Sequence, residues 1–306
     1  MAKVAIIGTG AMGSIYAALM ADAGHEVWAV DAWEAHVTAM AEHGLRVEGA
    51  SGDRTVRVHA TTRVADAGSV DLAIIATKLD GVQAACEALT PILGADTPVL
   101  SIQNGLGGPD IVAQALGAER VAIGVVGGFG ASMKGPGHAH HNGMEFVRIG
   151  EYAGGLTDRT ARIAEVWTSS GFKVLTFDDI HKMVWEKLIC NCAYSGPCTI
   201  TNLRVGEVLD SPEASAISAA CAAEAWQVAQ AREIAVDIED PVAYIRAFGE
   251  KLRGAYPSMT QDHQAHKVGE IDAINGAIVR EAEAFGLSVP TNTFVSQVIK
   301  ARESAF

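Results

Sequence analysis

Along the first half of the chain, hydrophobic residues fall into short unbroken runs separated by amphipathic stretches. That is the pattern of buried parallel strands alternating with helices. Residues 4–7, 26–30, 71–76, 98–102 and 120–126 are the strand candidates, and residues 14–23, 81–93 and 109–116 between them read as helices. The β-α-β alternation predicts a doubly wound parallel sheet. Strands then crowd together, with residues 145–149 and 173–177 bracketing a helix near 157–170. After Phe177 the strand signal disappears, and residues 180–193, 212–234, 241–252 and 269–285 read as helices. Ala219, Ala222 and Ala223 are small enough to let helices pack closely. The expectation is an α/β domain over residues 1–177 followed by an all-helical substrate or catalytic domain over residues 178–306. No flexible-linker composition marks the boundary near Phe177 and Asp178, which predicts rigid packing with a ligand cleft between the domains.

The first strand runs directly into Gly8-Thr9-Gly10-Ala11-Met12-Gly13, a G-x-G-x-x-G spacing that opens the first helix. Gly8 suits a tight turn, Gly10 the close approach of a pyrophosphate, and Gly13 the packing of helix on strand. A glycine turn in an ordinary α/β protein would explain the spacing alone. It would not explain a strand before it, a helix after it and a second strand that ends in an acid. The helix start offers unpaired N–H groups to phosphate, so a Rossmann-type dinucleotide site is expected. Asp31 ends the second strand, 18 residues after Gly13, where an acid ordinarily holds the adenosine ribose diol. Its followers Ala32, Trp33, Glu34, Ala35 and His36 include no Arg or Lys to neutralise a 2′-phosphate. NADH is therefore the expected cofactor. Trp33 fits either a place near the adenine or a place in the core.

A chain of 306 residues suits two domains, and 49% hydrophobic with 19% charged residues supplies material for substantial cores. No apolar run approaches the roughly 18 to 20 residues needed to span a bilayer. The N-terminus leads straight into the glycine motif rather than into a signal peptide, so a cytoplasmic protein without a membrane partner is expected. A net charge of −13 argues against a nucleic-acid partner. Oligomeric state is left open, a homodimer included. Cys86, Cys190, Cys192, Cys198 and Cys221 fit neither a C-x-x-C redox motif nor a zinc ribbon, and small buried hydrophobes are the simpler reading. In the cluster His138, His140 and His141, His138 and His140 would share a strand face, but no third or fourth metal ligand stands nearby. No metal is expected.

Three other segments place polar groups among apolar ones. Gln103, Asn104 and Gly105 follow a strand at its carboxyl end, where open α/β sheets bind ligands, although Asn-Gly is also an ordinary turn. Lys187, Asn191 and Ser195 recur at i, i+4 and i+8 on one helix face, beside Leu188, Ile189 and Cys192. Pro197 predicts that this helix ends or kinks nearby. A lysine in so apolar a helix is costly without a task or partner, and a solvated surface lysine is the alternative. In the third segment Ser258 and Gln261 fit a capping box, which would present a hydroxyl and a helix start to a carboxylate. Glu270 and Asn275 are expected in a helix with Ile271, Ile274 and Ile278 on its apolar side. Asp272 fits a plain surface charge.

GTGAMG, Lys78 after the strand DLAIIAT, Gln103-Asn104-Gly105, WEKLICN and the SMTQD and GEIDAING segments together carry a resemblance. Over nearly its full length the chain resembles the ketopantoate reductase (2-dehydropantoate 2-reductase) family. The glycine motif is common to many dehydrogenases, whereas the lysine helix and the last two segments are much more specific. The resemblance implies a Rossmann-type domain, a helical domain and hydride transfer from a nicotinamide cofactor, with NADP(H) the family's usual choice. It further implies Lys187 as general acid and Glu270 as a partner of substrate or lysine. Asn104 and Asn191 would position substrate or cofactor, Ser258 would hold the substrate carboxylate, and Lys78 would join the cofactor site. Members often carry a second asparagine one turn after the one matching Asn191; Ser195 stands there in this chain, at the substrate-binding position that the resemblance assigns to the substrate's distal hydroxyl. Gly196-Pro197-Cys198 also departs from the usual stretch. Ketopantoate is then the leading 2-oxo acid, ahead of a branched or aromatic one as in D-2-hydroxy acid dehydrogenases of the same family. A dinucleotide-binding sensor without turnover is the reading from another class.

Overall fold

The computed structural model describes residues 1–128, 130–143 and 146–306. Residue 145 of the strand expected over 145–149 lies outside the described residues. Twelve strands and twelve α-helices form among the described residues. The chain divides into two compact units, residues 1–103 with 108–180, and residues 104–107 with 181–306.

In the first unit, eight strands make one sheet: β1 (Lys3–Ile7), β2 (Glu26–Val30), β5 (His59–Thr61), β6 (Leu72–Ile75), β7 (Val99–Ser101), β8 (Val121–Val126), β11 (Phe146–Glu151) and β12 (Lys173–Thr176). Their order is β12-β11-β8-β7-β6-β1-β2-β5. From β5 to β8 all pairings are parallel, and only the β8–β11 pairing is antiparallel. Counted along this sheet alone, the six parallel strands from β5 to β8 run 3-2-1-4-5-6, the doubly wound order with its switch point between β1 and β6. The unbroken apolar runs follow from burial on both faces. Val4 and Ile6 of β1 join a core with Ile15, Tyr16 and Met20 of α1 (Ala11–Asp22) and Trp167 of α5 (Asp158–Ser169). Ala5 and Ile7 turn the other way, into a core with Val82, Cys86 and Leu89 of α3 (Val82–Leu89) and Val112 of α4 (Gly108–Leu116).

A second, four-stranded sheet was not expected. It has the order β4-β3-β10-β9, from β3 (Leu45–Gly49), β4 (Arg54–Val56), β9 (Gly130–Gly135) and β10 (His138–Gly143). Its strands are short and polar, so no apolar run announces them, and its two hairpins, β3–β4 and β9–β10, join through a β3–β10 pairing across about 90 residues of chain. As alternation requires, His138 and His140 share a face, where both meet the Glu48 carboxylate.

The second unit is helical: α6 (Ile180–Thr201), α7 (Val205–Asp210), α8 (Pro212–Ala231), α9 (Pro241–Glu250), α10 (Ser258–Gln264), α11 (Asn275–Ala284) and α12 (Pro290–Glu303). One expectation fails here. Residues 269–285 are not one helix: a 3-10 turn, Ile271–Ala273, precedes α11, because Ile274 sits at φ −108°, ψ −98°. Pro197 lies within α6, which ends about one turn later at Thr201. The Thr199 and Thr201 hydroxyls donate to the carbonyls of Ser195 and Pro197. Cys190, Cys192 and Cys198 are buried in the core around this helix, so tertiary packing outweighs the roughly 3 kcal/mol proline penalty. All five cysteines are free and buried. Burial pushes the thiols of Cys190 and Cys198 up to about 12, so they act as small hydrophobes. Among the described residues no group of three or more His, Cys, Asp or Glu could hold a metal ion, and no helix is long and apolar enough to cross a membrane.

Candidate active site

The glycine loop leaves β1 at its carboxyl end, beside the switch point. Gly8 has φ +91°, and a Cβ there would lie 2.6 Å from the Thr77 nitrogen just after β6. Only glycine serves, because both the dihedral and the contact forbid a side chain. A Cβ at Gly13 would collide with the Gly8 carbonyl oxygen, whereas one at Gly10 meets nothing within 4 Å. The middle position thus opens onto free space, a cradle that a side chain would fill. Gly10 caps α1 without any side-chain hydrogen bond, and the first intrahelical bond is Ser14 N–H to Gly10 O at 2.9 Å. The N–H groups of Ala11, Met12 and Gly13 in the first turn therefore have no intrahelical partner. Thr9, fully buried, holds the loop down: its N–H and that of Gly8 both donate to Val30 O.

Asp31 follows β2 directly, with its N–H on Thr61 O and its Oδ1 accepting from Trp33 N–H at 2.9 Å. Trp33 is 43% exposed and stacks on His36, with ring centroids 5.3 Å apart, so it does not belong to the core. Lys78 caps the 3-10 turn Leu79–Gly81 just after β6 and is exposed.

Gln103 and Asn104, neighbours in sequence, have different tasks. Gln103 Nε2 donates to Ile75 O and Thr77 O, which clamps the end of β7 to the end of β6. Asn104 belongs instead to the second unit, with residues 105–107. Lys187 Nζ donates to Asn104 Oδ1 at 2.7 Å, and Asn104 Nδ2 donates to Glu270 Oε2 at 3.4 Å. This orientation of the amide is the one that gives the ammonium an acceptor and the carboxylate a donor. Leu106 N–H on Ala273 O at 2.9 Å fixes the segment to the 3-10 turn. Gly105 makes the approach feasible: at φ +78°, a Cβ would sit 2.5 Å from the Ala273 carbonyl carbon. The broken helix start matters for the same reason. A continuous helix over 269–285 would have used the Ala273 carbonyl internally, whereas here it accepts the Leu106 N–H.

The lysine lies within α6, between the buried Trp185 and Leu188, and Asn191 follows one turn on. Asn191 makes no side-chain hydrogen bond among the described residues, and Ser195 is buried. The Ser258 expectation needs correction. Pro257, not Ser258, is the cap of α10, no capping box forms, and the Gln261 amide donates to Tyr256 O instead. Ser258 is exposed on the first turn and bonds neither Lys187 nor Glu270 among the described residues. Its neighbour Thr260 is tied to α6 through the Thr199 hydroxyl at 3.0 Å. Sequence reasoning passed over His36. That ring is fully buried, with Nε2 at 2.9 Å from Thr9 O and Nδ1 at 2.8 Å from Gly137 N. A partner 101 residues away leaves no local signature.

Comparison with known proteins adds three kinds of finding. The family model described as ketopantoate reductase PanE/ApbA matches residues 4–154, and its C-terminal counterpart matches residues 179–303. A 2-dehydropantoate 2-reductase from Pyrococcus abyssi is 31% identical over 302 residues, covering 99% of this chain and 98% of its own. A PanE/ApbA family ketopantoate reductase from Ralstonia eutropha has a similar solved structure: TM-score 0.91, 33% identity, 99% of both chains covered. The ternary structure of D-mandelate dehydrogenase with NADH and anilino(oxo)acetate is also similar, at TM-score 0.91 and 29% identity, covering 99% of this chain and 98% of that one.

Proposed function

The chain belongs to the ketopantoate reductase family, and on that premise we propose that it reduces a 2-oxo acid with NADH, 2-dehydropantoate to (R)-pantoate being the leading reaction. The observation that carries this reading is the Lys187–Asn104–Glu270 chain of hydrogen bonds. Cofactor binding alone requires no such group.

The glycine cradle, the unpaired N–H groups of Ala11, Met12 and Gly13, and Asp31 fit a dinucleotide, with Lys78 beside them after β6. A bound reduced nicotinamide supplies the hydride; the rest falls to the chain's own side chains. Lys187, as an ammonium, donates a proton to the oxygen of the substrate carbonyl as negative charge develops there, and its charge stabilises that oxygen beforehand. Asn104 Oδ1 accepts a hydrogen bond from one of the ammonium's three N–H groups and so fixes the direction of Nζ. Glu270 holds the other end of the Asn104 amide and keeps negative charge near the lysine. Asn191, one turn beyond Lys187, has the reach to orient the substrate, and Ser258 on the exposed start of α10 offers a hydroxyl to its carboxylate.

Asp31 supports NADH over NADPH, since a carboxylate repels a 2′-phosphate. Arg63, two residues beyond the Thr61 that binds Asp31, is engaged by Asp66. A second reading keeps the chemistry and changes the substrate. Ser195 in place of an asparagine, together with the likeness to D-mandelate dehydrogenase, favours an aromatic or branched 2-oxo acid. The deciding experiment is NADH oxidation with a panel of ketopantoate, branched and aromatic 2-oxo acids. Turnover with ketopantoate at the highest kcat/KM is expected. Turnover only with an aromatic acid moves the assignment to the second reading, and tight NADH binding without turnover on any acid makes the protein a sensor.

A further inference from the structure

The fully buried His36 of α2 (Glu34–His43) stands under the glycine loop and is used by no step above. Its Nδ1 lies 2.8 Å from the Gly137 nitrogen, a backbone donor, so Nδ1 must be an acceptor. In the neutral ring the proton then sits on Nε2. Nε2 donates to Thr9 O at 2.9 Å, and the same carbonyl accepts from the Ser14 hydroxyl at 2.8 Å. Two buried donors thus converge on one loop carbonyl, while the N–H groups of Gly8 and Thr9 are spent on Val30 O.

The direction of that carbonyl has a consequence for the next atom along the chain. The chain contains no cis peptide among the described residues, and in a trans peptide the C=O and the following N–H point opposite ways. Holding Thr9 C=O down onto His36 and Ser14 therefore turns the Gly10 N–H away from them, at the one loop position whose Cβ would meet open space. Gly137, which fixes the ring's tautomer, lies in the turn between β9 and β10, and its own carbonyl accepts from Arg46 N–H at 2.8 Å in β3. The small sheet thereby reaches the glycine loop through the His36 imidazole.

We propose that His36 is the positioning residue of the cofactor loop, fixing the Thr9–Gly10 peptide so that its N–H faces the dinucleotide pyrophosphate, and that the β9–β10 turn holds it in the donating tautomer. This rests on the dinucleotide-binding reading above.

The two ring nitrogens can be tested separately. His36→Gln places an amide at the reach of Nε2 and can still donate to Thr9 O. His36→Asn places one at the reach of Nδ1 and retains only the bond from Gly137. NADH affinity, followed by quenching of intrinsic tryptophan fluorescence, is expected to weaken about tenfold in His36→Asn and His36→Leu, as the loss of one buried hydrogen bond predicts. His36→Gln should recover most of that affinity. KM for NADH should rise in parallel, with kcat at saturating NADH changed less than about twofold. Equal affinities for Asn and Gln, or a Gln variant as weak as Leu, overturns the proposal. Ser14→Ala, which removes the second donor to the same carbonyl, should weaken NADH severalfold, and an unchanged affinity there overturns it even if the His36 variants fail to fold. Failure of the unmodified protein to bind NADH or NADPH is a different result, since it removes the dinucleotide reading itself.

Discussion

The glycine loop and the lysine site are constructed in opposite ways. Six consecutive residues, Gly8 to Gly13, supply the first, held by the ends of neighbouring strands and by His36 of α2. The second is assembled from residues 104, 187 and 270, with sequence separations of 83 and 166 across its two hydrogen bonds. Both depend on a glycine at positive φ pressed against another segment: Gly8 against Thr77, Gly105 against Ala273. In the first case the glycine shapes the binding loop itself. In the second it lets a loop deliver one side chain, Asn104, to a lysine on a helix. The contrast implies that damage to each should be read out separately, as cofactor affinity in one and as chemistry in the other.

The largest separation is expected from Lys187→Ala. Losing a general acid costs about two to four orders of magnitude in kcat, while NADH affinity should stay within about twofold of normal. Glu270→Ala should act less on kcat and more on substrate KM. Single-turnover reduction and NADH titration on the same preparations check this, and near-normal turnover in Lys187→Ala would remove the lysine from the mechanism.

A pair of glycine variants sharpens the comparison. Gly105→Ala must move the 104–107 segment off Ala273, and displacing a positioned group by about 1 Å costs about a hundredfold in rate. Gly8→Ala forces the loop off Thr77 and should instead raise the NADH Kd. The result that breaks the distinction is the same ratio of KM to kcat change in both variants.

The asymmetry also accounts for what could be read from the sequence. β1, the glycine loop and β2 were legible because their logic is local: a doubly buried strand is an apolar run, and a tight turn under phosphate is a glycine spacing. Lys187 drew notice as a charge in an apolar helix, which is again a local conflict. Its relation to Glu270 came only through family resemblance and its bond to Asn104 was not expected at all, because hydrogen bonds across 83 and 166 residues leave no periodicity. The start of α11 was misjudged because Ile271, Ile274 and Ile278 keep helical spacing while the backbone breaks at Ile274. The four-stranded sheet escaped because its strands are three to six residues long and largely polar, and the β3–β10 pairing that joins its two hairpins spans about 90 residues.

A smaller effect is expected at Asp31. Its carboxylate follows β2 with Oδ1 on the Trp33 N–H, and the site is expected to prefer NADH by at least about tenfold, or roughly 1.4 kcal/mol. Asp31→Ser combined with Ala32→Arg should narrow or reverse that ratio of kcat/KM values without touching kcat at saturation. A clear NADPH preference in the unmodified protein would mean that the carboxylate does not meet the ribose. Neither outcome bears on Lys187, which keeps the two sites experimentally distinct.

The smallest expected effect is on stability, and it belongs to the glycine-loop side alone. Burial lowers the pKa of His36 below 6.5, opposed by its bond to Thr9 and by the nearby Asp31 carboxylate. The Gly137 N–H, aimed at the Nδ1 lone pair, opposes protonation too. A ring whose folded-state pKa lies below its unfolded value takes up its proton first in the unfolded chain. Its contribution to stability is therefore whole above about pH 6.5 and is lost as the pH falls below that. His25 and His141 are also lowered, chiefly by burial, so all three titrate in the same direction. The depressed carboxyls, among them Glu48, Asp53 and Asp66, keep their contribution until the pH falls into the ordinary carboxylate range of the unfolded chain, about 4, and lose it below that. Between about pH 6.5 and 5 the histidines thus dominate the decline. Urea unfolding across that range should show falling stability in the unmodified protein and a shallower fall in His36→Gln, which cannot titrate. The helical unit carries none of these three rings, so hydrogen exchange should place the acid-sensitive opening in residues 1–103 and 108–180. Equal acid sensitivity in residues 181–306 would show that the loss is global and that the imidazole under the glycine loop does not set it.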